Sequence, residues 1–233
     1  MGKQPLVLLP GTLCNEKLWA HQARCLSDIA DITVGDLSQN DTIEEMAQSV
    51  LQQAPSSFAL AGLSMGGIVA LQIMRMAPKR VSHLALLDTS PYPPTLDQIN
   101  TWEKFIEMAD TGQFLEVTTN YLLPGLIRSE SRKDKSLVST IVEMAEETGK
   151  EAMVRQMKAL MKKPDGRAIL PKINCPTLVL HGREDTICSA EAHQEMADAI
   201  PSAALVAVEE AGHLSTLEQS QAVTALLRFW LQQ

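Results

Sequence analysis

Gly62-Leu63-Ser64-Met65-Gly66-Gly67 decides how this chain is read. An apolar run, Ser57-Phe58-Ala59-Leu60-Ala61, precedes it, and an apolar-periodic run, Ile68-Val69-Ala70-Leu71-Gln72-Ile73-Met74, follows. That pattern is strand, tight turn, helix, with G-x-S-x-G at the turn. A serine there sits at a strained point between strand and helix. The positions two residues either side crowd the backbone, so glycine suits Gly62 and Gly66, where a Cβ would clash. The Ser64 hydroxyl is pushed out above the sheet edge, and the Met65 N–H is left free at a helix N-terminus to face a developing negative charge. A glycine-rich turn whose serine merely caps its helix has the same spelling. The rest of the chain has to separate the two.

Working outward, Leu6-Val7-Leu8-Leu9 is an unbroken apolar run ending at Pro10-Gly11, as expected of a strand covered on both faces. A helix is expected from about Asn15, with Leu18, Trp19, Gln22 and Leu26 on its inner side. Ile32-Thr33-Val34 with Asp36-Leu37 suggests a second strand. Asp41 is the expected N-cap of a second helix, with Ile43, Met46, Ala47, Val50 and Leu51 buried. Val81 to Leu87 reads as a fourth strand. The rhythm then breaks: residues 92–172 offer helical stretches and no convincing strand. Strand patterns resume at Thr177-Leu178-Val179-Leu180 and Ala204-Leu205-Val206-Ala207-Val208, each followed by a helix. About six apolar strands alternating with helices imply an α/β fold, a mostly parallel sheet with helices on both faces. The expected division is a core of residues 1–91 and 173–233, interrupted by a helical cap, or lid, of residues 92–172.

Composition narrows the classes of function. A length of 233 residues suits one large domain with a sizeable core. A net charge of −8 and the lack of a Lys/Arg stripe argue against a nucleic-acid partner. The N-terminal apolar run is too short for a signal or membrane segment, so a cytoplasmic protein with no membrane partner is expected. Cys14, Cys25, Cys175 and Cys188 lack metal-ligand spacing and are expected as reduced thiols.

In a parallel sheet the strand C-termini share one edge, where ligands bind. Thr12, Ser64, Asp88, Asp185 and His213 all fall just past such ends. A serine hydroxyl is a poor nucleophile until a base takes its proton, and the base needs an orienting acid. With Gly62-Leu63-Ser64-Met65-Gly66-Gly67 as elbow, His181-Gly182-Arg183-Glu184-Asp185 as acid segment and Ala211-Gly212-His213 as base segment, the chain resembles the α/β-hydrolase family over essentially its whole length.

The resemblance implies a Ser64-Asp185-His213 triad. Asp88 and Glu184 are rivals for the acid, because some members place it after the strand that Asp88 follows. It implies an oxyanion hole from the Met65 N–H and one from the loop after the first strand. Members usually carry His-Gly before that donor; this chain has Pro10-Gly11-Thr12, so Thr12 is the expected donor and Leu13 the fallback. The implied activity is hydrolysis of small or medium carboxylic esters without cofactor or metal, by a monomer or homodimer acting on a small-molecule ester. Thioesters, lactones and C–C bonds are the alternatives on the same triad, and a binding protein without turnover is the rival of another class. Trp102, Phe105, Met108, Leu122, Leu123, Met144, Met153, Met157, Leu160 and Met161 of the insertion are expected to pack it onto the sheet domain, and some of them to form an adaptable apolar acyl wall. A substrate carboxylate would call for an arginine, for which Arg128, Arg155 and Arg183 are candidates. His21, His83 and His193 read as ordinary surface residues.

Overall fold

A computed structural model describes residues 2–233. Its sheet has six strands, β1 (Gln4–Leu9), β2 (Ala30–Val34), β3 (Phe58–Leu63), β4 (Val81–Leu87), β5 (Thr177–Gly182) and β6 (Ala203–Val208). They lie in the order β2-β1-β3-β4-β5-β6, and every neighbouring pair is parallel. The order reverses between β1 and β3, which opens a crevice at their C-terminal ends. This is the α/β-hydrolase fold expected from the elbow.

Alternation along each strand feeds two separate cores. Val7, Leu9, Leu60, Leu84, Leu86 and Val179 point to one face. There they meet α2 (Ile43–Gln53), α3 (Met65–Met76) and, further along the sheet, the helix Ala190–Ala199. Leu6, Leu8, Ala59, Ala61, Leu178 and Leu180 point to the other. That face is covered by α1 (Ala20–Leu26) and the C-terminal helix Ser220–Leu231, through Leu26, Leu227 and Trp230. Small residues at Ala59 and Ala61 let the covering layer sit close to the central strand.

Between β4 and β5 the chain is helical: α4 (Leu96–Asp110), a segment from Phe114 to Leu126, α5 (Lys135–Thr148) and α6 (Lys150–Met161). Thr95 and Gln98 close a reciprocal capping box on α4, and Asp134 caps α5. A small core of Phe105, Ala109, Val117, Ala145, Met153 and Met157 joins these helices and takes in Leu13 from the loop after β1. The two long helices after β5 complete the numbering as α7 (Ala190–Ala199) and α8 (Ser220–Leu231).

Several local expectations need correction. The first helix begins as a tight 3₁₀ turn, Glu16–Trp19, with Asn15 as its cap, before α1 proper. Thr42, not Asp41, caps α2: its hydroxyl accepts from the Glu45 N–H. β2 starts at Ala30 and stops at Val34, short of Asp36-Leu37. The helical stretch that starts at Phe114 contains a wide i→i+5 segment over Val117–Leu122 and continues to Leu126. The final helix is broken at Gln219 into Ser215–Glu218 and α8.

Candidate active site

Among the described residues, four non-glycine residues have positive φ: Leu13, Ser64, Asp88 and Glu210. Each follows the C-terminal end of a strand, so backbone strain is concentrated on the edge where the candidate groups were expected. Ser64, at φ 55° and ψ −116°, is held there from several sides. Its N–H donates to Leu87 O at 2.9 Å, and its carbonyl accepts from the Thr89 hydroxyl at 2.7 Å and the Gly67 N–H at 2.9 Å. The glycines are steric necessities. A Cβ on Gly62 would lie 2.2 Å from Gly66 O, and one on Gly66 would lie 2.3 Å from Leu9 O.

The structure brings Ser64, Asp185 and His213 together. His213 Nε2 lies 2.8 Å from Ser64 Oγ, and His213 Nδ1 lies 2.9 Å from Asp185 Oδ2. The other Asp185 oxygen accepts from the Ile187 and Cys188 N–H groups at 2.8 and 3.1 Å, which fixes the carboxylate plane. Glu184 points elsewhere, pairing with Arg128 at 3.1 Å. Asp88 is buried beside the cluster but serves another purpose: it accepts from the Gly182 N–H at 2.7 Å and from the Ser215 hydroxyl. It therefore ties β4 to the end of β5 and to the turn that follows His213.

Electrostatics follow the geometry. Burial by itself favours the neutral ring of His213. The Asp185 charge and hydrogen bond, with a smaller contribution from Asp88, outweigh it and raise the His213 pKa. For Asp185, burial favours the neutral acid, but His213 and the two N–H donors prevail and lower the pKa. Asp88, with fewer compensations, is pushed up to about 8 by burial and by the Asp185 charge.

Among the described residues, the N–H groups of Thr12 and Met65 donate to no protein acceptor. The fallback donor is already committed: Leu13 N–H donates to Gln156 Oε1 at 2.9 Å. Gln156, buried on α6, also donates through Nε2 to Leu37 O at 3.2 Å. One side chain from the helical stretch between β4 and β5 thus fastens the loops after β1 and β2. Sequence reasoning passed over it, although a glutamine on the apolar side of a helix was a signal that it answers a buried backbone group.

Above Ser64 and His213 opens a cavity of about 290 Å³. Trp102, Leu122, Met157 and Leu160 of the expected apolar wall line it, whereas Phe105, Met108, Leu123, Met144, Met153 and Met161 do not. None of the three candidate arginines reaches it. Arg128 pairs with Glu184, Arg155 donates to Ser38 O, and Arg183 pairs with Glu209 at the surface. The cationic lysine in its wall is Lys163. His193 is another correction: it is buried, not superficial. Its Nε2 accepts from the Thr89 N–H at 3.1 Å while Nδ1 faces Ser189 O at 2.8 Å, and burial pushes its pKa down to about 4. A neutral His193 thereby supports the residue that holds the Ser64 carbonyl.

Cys188 Sγ lies near Asp185 and His213, and one ligand atom from each falls within 4.8 Å of the others. A cation there would have to take His213 or Asp185 atoms already bonded to each other and to Ser64. The four cysteines are free thiols. Among the described residues no helix is long and apolar enough to cross a membrane.

Residues 6–226 match the model of the alpha/beta hydrolase family. A pimeloyl-acyl-carrier-protein methyl ester esterase of Aliivibrio fischeri is 25% identical over 247 aligned residues, covering 98% of this chain and 93% of the relative. A putative carbamate hydrolase of Klebsiella pneumoniae is 26% identical, over 77% of this chain and 68% of the relative. Among solved structures, a thermophilic esterase from Thermogutta terrifontis superposes with a TM-score of 0.90 at 26% identity, covering all of this chain and 91% of the other. An enol-lactonase from Burkholderia xenovorans shares the fold, with a TM-score of 0.90 at 22% identity over 100% of this chain and 93% of the other. Matched over nearly its whole length, from β1 to α8, the chain belongs to the alpha/beta hydrolase family.

Proposed function

We propose that the chain hydrolyses carboxylic esters of small to medium acyl groups through an acyl-enzyme on Ser64, with His213 as base and Asp185 as orienting acid. The run of hydrogen bonds from Ser64 Oγ through His213 to Asp185, at the floor of the cavity, is the observation that carries this reading. Ser64 Oγ bonds to the ester carbonyl carbon as its proton passes to His213 Nε2. The carbonyl electrons move onto oxygen, and the Thr12 and Met65 N–H groups stabilise that oxyanion. Collapse breaks the bond to the alcohol oxygen, which leaves with the proton from His213. Water then adds to the acyl carbon, giving a proton to His213. A second collapse expels Ser64 Oγ, which recovers that proton, and the acid departs. Asp185 stays ionised throughout, holding the ring and balancing its charge while the ring is protonated.

The esterase and hydrolase names of the relatives support an ester as the substrate bond. The cavity of about 290 Å³ is near the lower end of small-molecule sites, roughly 300–1,000 Å³, which supports small to medium acyl chains. The test is hydrolysis of p-nitrophenyl esters from acetate to laurate, wild type beside Ser64→Ala, with fluorophosphonate labelling of Ser64. Turnover should peak below laurate and fall in the variant by on the order of 10⁴ to 10⁶ in kcat. Undiminished hydrolysis in Ser64→Ala would overturn the assignment.

A further inference from the structure

Lys163 is the second residue past the end of α6, in Lys162-Lys163-Pro164. Such a sequence usually keeps its lysines in solvent, yet Lys163 is only 8% exposed and lines the wall of the cavity that holds Ser64 and His213. Its backbone N–H donates to Leu160 O at 3.2 Å, which turns the chain inward. Among the described residues its ammonium has no hydrogen-bond acceptor and no carboxylate within ion-pair distance. The titratable group that acts on it is Cys188, whose thiol burial holds well above its ordinary pKa and therefore neutral.

A lysine this enclosed and without a counter-charge is expensive, and a site needing only bulk would be filled better by Leu or Met. Burial accordingly depresses the Lys163 pKa, a cost that a bound anion would relieve. A second polar group in the same chamber is also unanswered. Thr118 lies in the wide helical stretch Val117–Leu122, lines the cavity, and its buried hydroxyl finds no partner. A plain ester has one polar centre, which Ser64 and the two free N–H groups already serve. Nothing on such a molecule would use Lys163.

We propose that the substrate carries a carboxylate in addition to the bond that is cleaved, and that Lys163 binds it. This rests on the ester-hydrolase reading and narrows its substrate to anionic esters, such as half-esters of dicarboxylic acids. One ammonium matches a carboxylate; a phosphate dianion would call for more donors than this wall offers.

Two matched pairs test it: monomethyl glutarate against methyl pentanoate, and acetoxyacetate against propyl acetate. They place the carboxylate on the acyl and the alcohol side respectively. Wild type, Lys163→Met and Lys163→Arg are compared by kcat/KM, and calorimetry measures glutarate binding to each without using the Ser64 chemistry. Wild type should prefer the anionic member of at least one pair by about tenfold or more, and Lys163→Met should reduce that preference by about 10- to 100-fold, the weight of a charge-assisted hydrogen bond. Lys163→Arg should largely preserve it, and glutarate should bind wild type but not Lys163→Met. Hydrolysis of neutral and anionic members alike, with no effect of Lys163→Met on their ratio and no glutarate binding, would overturn the role of Lys163 and leave the ester reading standing. Glutarate binding lost in Lys163→Met, with no ester cleaved by wild type, would overturn the ester reading and leave Lys163 as an anion receptor.

Discussion

His213 is held between opposed influences: burial of its ring favours the neutral form, while the Asp185 charge and hydrogen bond, aided by Asp88, favour the imidazolium. The second set prevails, so the ring deprotonates above its ordinary 6.5. A base must be neutral to accept the Ser64 proton, so kcat/KM should rise with pH along a limb whose midpoint lies above 6.5. A flat profile from about pH 5 to 9 would remove His213 from that role. Asp185→Asn should cost on the order of 10³ to 10⁴ in kcat, because the amide no longer fixes the Nδ1–H tautomer, and it should shift the remaining limb to lower pH. Gln156 sets a different kind of test. Gln156→Ala leaves the Leu13 N–H and Leu37 O buried without partners, which costs about 1–3 kcal/mol and frees the loop that carries Thr12. A lower melting temperature together with a fall in kcat, and little change in KM, is the expected result. Ser64, Asp185 and His213 were legible because each follows an apolar strand in a recognisable order. Gln156 and Lys163 were not, because what they face lies far away in sequence: the Leu13 N–H in one case, the cavity beside Ser64 in the other.

At the scale of elements, the elbow between β3 and α3 is a packing constraint as much as the seat of the proposed nucleophile. The space that Gly62 leaves open is occupied by the Gly66 carbonyl, and the space beside Gly66 by that of Leu9. Backbone atoms cannot swing aside as a side chain can, so Gly62→Ala should destabilise by more than about 3 kcal/mol or prevent folding. Gly149, between α5 and α6, has φ 83° but open space around its missing Cβ. Gly149→Ala should therefore cost about 1–3 kcal/mol, from backbone strain alone, because its ψ of 164° lies where only glycine is readily accommodated. Thermal melts of the two variants, side by side, check the distinction. The strands and long helices could be read from sequence because their periodicity is repeated over many residues. Their ends depend on single contacts. Asp41 and Thr42 are both good caps, and the choice of Thr42 is made by its bond to the Glu45 N–H. The wide turn at Val117–Leu122 carries no distinctive residue, since it arises where the segment must fit between α4, α5 and the cavity.

Across the whole molecule, one parallel sheet separates two apolar cores and gathers the functional groups on its C-terminal edge, and Asp88 joins the parts of that edge. It lies on the strained residue after β4, accepts from the Gly182 N–H at the end of β5, and receives the Ser215 hydroxyl from the turn after His213. In the unfolded chain its carboxyl ionises near 3.8; in the fold, burial and then the Asp185 charge push it up to about 8. Between those values the folded protein holds a proton that the unfolded chain has lost. The Asp88 contribution to stability is therefore complete below about pH 4 and is lost as pH rises toward 8. His213, raised from 6.5, acts in the same direction at the upper end, and Asp185, with its lowered pKa, acts in the opposite direction under acid conditions. Asp88→Asn isolates the first contribution. An asparagine keeps an acceptor for the Gly182 N–H, can donate to Ser215 Oγ, and cannot ionise. Melting temperature from about pH 5 to 8 should fall more steeply in wild type than in Asp88→Asn, with the two curves closest at the acid end. Parallel curves would mean that Asp88 is already ionised in the fold at pH 5, and that the edge is held together by a buried charge rather than by a proton.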